Sequence, residues 1–185
     1  MPQVELSEAT FKRLQKLARP LVDTATSVVE RLIDHYEDTN SAAPAGTPAT
    51  AAAARKFSAT DVPPLTHTKL RRAAFAGKEL ARPNWAELVR TAIEAAYAKA
   101  GSFEALQQMT DAHIAKGVKT DEGFSPLGTL GFSLQGVDAI DAWRIVLGIA
   151  RRLALPVEVT FEWRNKEAAA YPGELGEIAW APSQR

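Results

Sequence analysis

Residues 39–64 divide the chain, and this division limits its possible folds more than any other feature of the sequence. The stretch TNSAAPAGTPATAAAARKFSATDVPP consists mainly of Ala, Pro, Thr, Ser and Gly, and Phe57 is its first large non-proline apolar side chain. Because such a composition buries too little apolar surface to order itself, it predicts a flexible linker. The flanking regions must then fold separately, as a module at 1–38 and a domain at 65–185.

The module at 1–38 has the pattern of one short strand followed by two helices. Val4 and Leu6 alternate with polar residues, which is the period of a half-buried strand. Ser7 is a typical helix cap, and the apolar residues after it recur at helical spacing until Pro20. A turn and a second apolar helical stripe follow. This order of elements within about 35 residues predicts the ribbon-helix-helix plan.

A fragment of this size cannot build its own interior, because domains below about 40 residues rarely fold unaided. Two copies solve the problem by pairing their strands antiparallel and interlocking their helices. We therefore predict an obligate dimer, or a higher homo-oligomer built on it. Its interface is expected to contain Val4, Leu6, Phe11, Leu14, Leu17, Val28, Val29, Leu32, Ile33 and Tyr36.

The outward face of the predicted ribbon carries Gln3, Glu5 and Ser7, with no Lys or Arg. A ribbon that enters the major groove of DNA must offer groups that pair with base edges or at least do not repel phosphate. Glu5 can accept from cytosine, but two symmetric copies of it oppose the negative potential of the groove. We therefore expect this module to join chains rather than to read DNA.

From Leu65 onward the pattern is that of an α+β domain with antiparallel strands. One helix is expected between Asn84 and Gly101, a short one after Ser102, and a third within VDAIDAWRIVLGIARRLAL. Within PLTHTKLRRAAFAGKELA we expect a strand, a turn at Gly77 and a second short strand or extended piece. Further strands are expected in TLGFSLQG, in PVEVTFEW and in GEIAW. The segment DAHIAKGVKTDEGFSPLG is expected to be a loop.

Composition excludes several classes of protein. The chain has no cysteine, which excludes disulfides and thiolate metal sites and fits a reducing cytoplasm. The histidines His35, His67 and His113 lack ligand spacing, so no metal or other cofactor is expected. No apolar stretch is long enough to span a membrane, and no membrane partner is expected. These features predict a cytoplasmic protein.

Enzymatic activity is not expected. Glu158, Glu162, Lys166 and Glu167 resemble the carboxylate–lysine set of a nuclease, which remains an alternative. Alternation of Glu158 and Glu162 on the solvent face of a strand is the simpler explanation. No Ser-His-Asp arrangement can be assembled.

The basic residues of this electrically neutral chain are concentrated in its middle. Residues 55–119 hold eleven Lys and Arg against six Asp and Glu, whereas both flanking regions are acidic. Basic side chains can meet phosphate, and uncharged donors and acceptors in a turn are the type used against base edges. We therefore predict DNA contacts by Lys69, Arg71, Arg72, Lys78, Arg82, Asn84, Lys116, Lys119, Ser133 and Gln135.

The stretch QVELSEATFKRLQKLARPLVDTATSVVERLID is similar to the N-terminal oligomerisation module of the SeqA family, bacterial negative modulators of replication initiation. The C-terminal region resembles that family only in its order of elements. The resemblance implies N-terminal assembly, C-terminal binding of DNA (hemimethylated GATC sites in the SeqA family) and association with the nucleoid. The sequence also allows a ribbon-helix-helix regulator of a defence or toxin–antitoxin system, whose C-terminal domain binds a protein partner.

Overall fold

The computed structural model describes residues 6–17, 28, 29, 32, 33, 36, 54–128 and 130–182. They belong to two compact units. The first unit contains the described residues of 1–47 together with 113–136, and the second contains those of 48–112 and 137–185. Both helices and sheets are present, so the predicted mixed α+β class is confirmed. None of the helices in these ranges is long and apolar enough to cross a membrane.

The elements with described bounds follow one another in this order: α1 (Glu8–Leu17), β1 (Arg55–Phe57), β2 (Thr68–Phe75), β3 (Lys78–Glu79), α2 (Trp85–Ala100), α3 (Phe103–Met109), β4 (Ile114–Lys116), β5 (Phe124–Pro126), β6 (Phe132–Gln135), α4 (Ala139–Leu153), β7 (Val157–Trp163) and β8 (Leu175–Trp180).

The helix α1 begins at the predicted cap. The Ser7 hydroxyl accepts a hydrogen bond from the backbone N–H of Thr10 at 3.2 Å, which satisfies one of the donors left open at a helix start. Helical conformation is also confirmed for five residues of the predicted second helix: Val28, Val29, Leu32, Ile33 and Tyr36. Val4 of the predicted strand lies outside the described residues, and Leu6 belongs to no regular element.

The second unit is built on a five-stranded sheet in the order β1-β8-β7-β2-β3. The pairing of β1 with β8 is parallel, and the other neighbours are antiparallel. The strand β7 shows the predicted period of two, because Val157, Val159, Phe161 and Trp163 are buried while Glu158 is exposed. The helices α2 and α4 pack against each other, α2 against β2 and α4 against β7. One face of the sheet therefore forms the core with these helices.

Local capping determines where the helices of this unit begin. The Asn84 side chain accepts from the N–H of Glu87 at 2.8 Å, and Gly101, with φ at 73°, ends α2 in the left-handed conformation that favours glycine. Ser102 caps α3 in the same manner. The predicted bounds of both helices are confirmed. The third predicted helix is α4, capped by Asp138.

The predicted boundary of the folded domain at residue 65 is corrected. Residues 55–57 of the supposed linker form β1, and two buried indole rings fasten the segment that follows. Trp143 Nε1 donates to the carbonyl of Ala59 at 2.9 Å, and Trp163 Nε1 donates to that of Pro64 at 3.0 Å. A buried indole N–H needs an acceptor. The low-complexity composition of residues 39–64 does not show that its carbonyl groups are these acceptors.

Residues 111–128, expected to be a loop, contain the strands β4 and β5. Both pair antiparallel with β6, and the three strands form a separate sheet in the order β4-β6-β5. The expectation was wrong because strands of three residues are too short to show a period of two. The prediction of one domain over 65–185 is corrected too, because residues 113–136 group with the first unit.

We expect Gly176→Ala to lower the free energy of unfolding by about 1–3 kcal/mol. A Cβ at this position of β8 would lie 2.5 Å from Phe161 Cζ and 3.0 Å from Trp163 Cζ3, both in fully buried rings. The matched control is Gly148→Ala inside α4, where the new methyl group would find its nearest neighbour, Arg152 Nη1, at 3.6 Å.

Because alanine favours a helix interior over glycine by about 1 kcal/mol, the control should gain stability. Urea denaturation followed by circular dichroism measures both variants. Equal effects of the two substitutions would contradict the packing described for Gly176.

Candidate nucleic-acid interface

The ten residues predicted to contact DNA fall in both compact units. The second unit contains Lys69, Arg71, Arg72, Lys78, Arg82 and Asn84, and the first contains Lys116, Lys119, Ser133 and Gln135.

Two arginines of β2 are held by carboxylates of neighbouring strands. A β-bulge lies between Leu70 and Arg72, and Arg71 Nε donates to Glu162 Oε2 at 2.6 Å. Arg72 Nε donates to Glu79 Oε1 at 2.9 Å, and its Nη2 lies 3.2 Å from Glu158 Oε1. The hydrogen bond and the charge of Glu79 raise the pKa of Arg72. The positive charges of both guanidinium groups are thus balanced locally.

The carboxylates of the alternative nuclease hypothesis lie on the same sheet surface as Arg71 and Arg72. Glu158 and Glu162 alternate with buried residues along β7, so they share the sheet face opposite the core. Each is paired with an arginine of β2. Within the described ranges, no group of three or more His, Asp and Glu side chains could hold a metal ion. Lys166 lies in the connection between β7 and β8.

Lys78 and Arg82 differ from the paired arginines. Both are exposed, and neither forms an ion pair with a residue that the structure describes. Lys78 lies on β3 at the edge of the sheet, and Arg82 lies just before α2. Asn84 caps α2 with its Oδ1 and donates from Nδ2 to the carbonyl of Arg82 at 3.3 Å. Both the oxygen and the nitrogen of the Asn84 side-chain amide therefore have hydrogen-bond partners within the chain.

In the first unit, residues 117–123 cross over β6. Since β4 and β5 both run antiparallel to β6, the connection between them must pass from one end of the sheet to the other. Ser133, fully buried on β6, accepts from the N–H of Lys119 at 2.8 Å and donates to the carbonyl of Gly117 at 2.8 Å. Its hydroxyl fastens the crossover.

Gln135 holds the other end of the same crossover. Its Nε2 donates to the carbonyl of Glu122 at 2.9 Å, and its Oε1 lies 2.9 Å from His113 Nδ1. Because Oε1 can only accept, His113 Nδ1 carries the proton of this bond. The two uncharged side chains predicted to face base edges thus hold the backbone of their own unit.

The lysines of this unit differ in their surroundings. Lys119 Nζ donates to Glu122 Oε2 at 2.6 Å and lies 4.4 Å from the centroid of the Phe124 ring. The hydrogen bond to Glu122 raises the pKa of Lys119. Lys116 is exposed on β4. Sequence spacing alone could have identified the partner of Lys119, since Glu122 follows three residues later, but not the partners of Arg71 and Arg72, which depend on strand register.

Comparison of the chain with protein-family models, curated proteins and solved structures finds no match. The similarity of the N-terminal stretch to the SeqA module therefore stays a prediction. Function has to be inferred from the described side chains and their surroundings.

Replacement of Ser133 by alanine is expected to loosen the crossover. The substitution removes the partners of the Lys119 N–H and the Gly117 carbonyl, and losing such buried partners costs about 1–3 kcal/mol. Ser125→Ala, at an exposed position of β5, is the control. Hydrogen exchange should accelerate at the Lys119 amide in the first variant only. Unchanged exchange there would show that Ser133 does not fasten the crossover.

Proposed function

We propose that this chain is a non-enzymatic regulatory protein that assembles through its N-terminal segment and contacts DNA mainly through the phosphate backbone. The assembled form is a homodimer of the ribbon-helix-helix type, or a higher oligomer built on it. The residues from 54 onward supply the DNA contacts.

The observation that carries this proposal is the distribution of exposed apolar side chains. Eight large apolar side chains of the described residues are exposed, and seven of them lie between residues 6 and 36. These seven are Leu6, Phe11, Leu17, Val29, Leu32, Ile33 and Tyr36. The helix α1 has no buried residue at all.

Such a concentration of apolar surface favours coverage by another surface. Burial gains about 25 cal/mol for each Å² of apolar area removed from water, and monomers rarely leave large contiguous apolar patches exposed. A second copy of the same segment is the partner present at equal concentration in every solution of the protein. This supports self-assembly.

The mode of DNA contact follows from which side chains still have free polar groups. Asn84, Ser133 and Gln135, the uncharged candidates for base reading, have intramolecular partners. Lys78 and Arg82 are exposed cations without an ion pair among the described residues. Cations hold the phosphate backbone without carrying sequence information. Assembly raises the effective concentration of such weak contacts on one DNA molecule.

A second candidate is binding of a protein partner by the residues from 54 onward, in a defence or toxin–antitoxin setting. The ion pairs of Arg71 and Arg72 favour it, because they neutralise much of the predicted basic surface. Residues 54–112 and 137–182 together hold fourteen Lys and Arg against thirteen Asp and Glu. A nearly neutral surface attracts DNA weakly.

Ile33→Asp is expected to convert the assembly into monomers, because the charge would be buried at the interface of two copies. The control is Val118→Asp, which places the same charge on an exposed apolar residue outside the N-terminal segment (82 % exposed). Sedimentation velocity on the full chain measures both variants. A monomeric wild-type chain, or dissociation by the control alone, would reject N-terminal assembly.

The DNA contact is tested with a fluorescent duplex at several salt concentrations. Binding should weaken as salt rises, and the double variant Lys78→Ala/Arg82→Ala should reduce the log–log slope by about 2, since each phosphate contact contributes about 0.9. Lys99→Ala, at an exposed position of α2, should leave the slope unchanged. An assembled wild-type chain that binds no duplex at low salt would reject DNA as the ligand and favour the protein partner.

A further inference from the structure

A groove of about 380 Å³ lies along α4 in the second unit. Its lining residues are Ala59, Thr60, Asp61, Val62, Ile140, Trp143, Arg144, Leu147 and Arg151. None of the ten residues predicted to contact DNA lines it. Its volume falls within the range of about 300–1,000 Å³ that is usual for ligand pockets.

One wall of the groove is a stripe along α4 in which apolar and cationic residues alternate. Ile140, Arg144, Leu147 and Arg151 follow one another at intervals of four, three and four residues, which places them on one helix face. The opposite wall is the turn of residues 59–62. This wall is fixed in place by the hydrogen bond from Trp143 Nε1 to the carbonyl of Ala59 and by the bridge between Ser58 and Asp61. The groove is therefore a built feature of the unit.

The charges of the groove are arranged for a ligand with more than one anionic group. The Arg144 side chain is 72 % exposed, and its Nη1 lies 3.0 Å from Asp141 Oδ1. The guanidinium group has further N–H donors that can bind a ligand. Arg151 is exposed and forms no ion pair with any residue of the described ranges. Seven residues of α-helix place the Cα atoms of the two arginines about 10 Å apart along the helix axis. A ligand with more than one anionic group can therefore engage both side chains.

We propose that this groove binds an extended segment of a partner protein in which acidic and apolar residues alternate. An extended chain advances about 3.3 Å per residue, so acidic side chains two to four positions apart can reach both guanidinium groups. Because successive side chains of an extended chain point to opposite sides, the apolar side chains between them face the opposite wall, where Ala59 and Val62 lie. Charge-assisted hydrogen bonds to Arg151 fix the register of the segment.

Two features favour a peptide over DNA at this position. The lining of the groove includes the apolar side chains of Trp143 and the largely buried Leu147. Asp61 also lines the groove and can accept a hydrogen bond from a backbone N–H, a donor that a peptide has and the DNA backbone lacks. The site is independent of the proposed DNA contact and can exist whether or not the chain binds DNA.

The test uses the full chain and a labelled synthetic peptide in which Leu and Glu alternate. Fluorescence anisotropy should show saturable binding of this peptide, weakened about tenfold or more by Arg151→Glu, since the substitution removes a charge-assisted hydrogen bond and introduces a like charge. A peptide that alternates Leu with Lys should bind the Arg151→Glu variant better than wild type. Lys99→Glu, an exposed charge reversal on α2, is the control.

Four outcomes would overturn the proposal. The first is failure of the wild-type chain to bind the Leu/Glu peptide. The second is equal affinity of the wild type and Arg151→Glu for it, with unchanged circular dichroism of the variant. The third is an equal loss of affinity in Lys99→Glu. The fourth is a loss of duplex DNA binding, rather than of peptide binding, in Arg151→Glu.

Discussion

The packing of two aromatic rings over a glycine holds the second unit together. Phe161 and Trp163 lie edge to face on β7 with ring centroids 4.8 Å apart, and the backbone of Gly176 on β8 leaves them the necessary space. Trp163 also meets the ring of Phe57 on β1 at 5.7 Å and donates to the carbonyl of Pro64. One buried ring thus joins the central strands to a segment that begins within the supposed linker.

The register of the strands in this sheet determines which of its charged side chains form ion pairs. Strand register places arginines of β2 beside glutamates of β3 and β7, and these ion pairs reduce the field that the arginines would otherwise present to a phosphate. In the first unit, the side chains of Ser133 and Gln135 form hydrogen bonds with the backbone of a crossover. The remaining polar and cationic surface suits contacts that need charge alone, which is why base-specific reading is not included in the proposed function.

Two surfaces of the described residues are proposed to bind another protein chain, and they differ in kind. The N-terminal segment exposes apolar side chains from both of its helical stretches, which is suited to a second copy of the same surface. The groove along α4 has two arginines on one wall and the apolar Ala59 and Val62 on the other, which is suited to an extended segment that alternates acidic and apolar side chains. If both proposals hold, a protein that joins copies of itself through its N-terminal segment and binds an acidic segment through its second unit acts as an adaptor as well as a DNA-associated regulator.

The sequence by itself determined the elements whose signals are local. Asn84, Gly101 and Ser102 fixed the bounds of α2 and α3, because a cap acts on backbone groups within one turn. Strands β1, β4 and β5 escaped prediction since three residues show no period, and they become strands only when a partner strand is present. Tertiary structure alone decided that Arg71 pairs with Glu162 and that α4 has a groove beside it, because both depend on residues more than 70 positions apart in sequence.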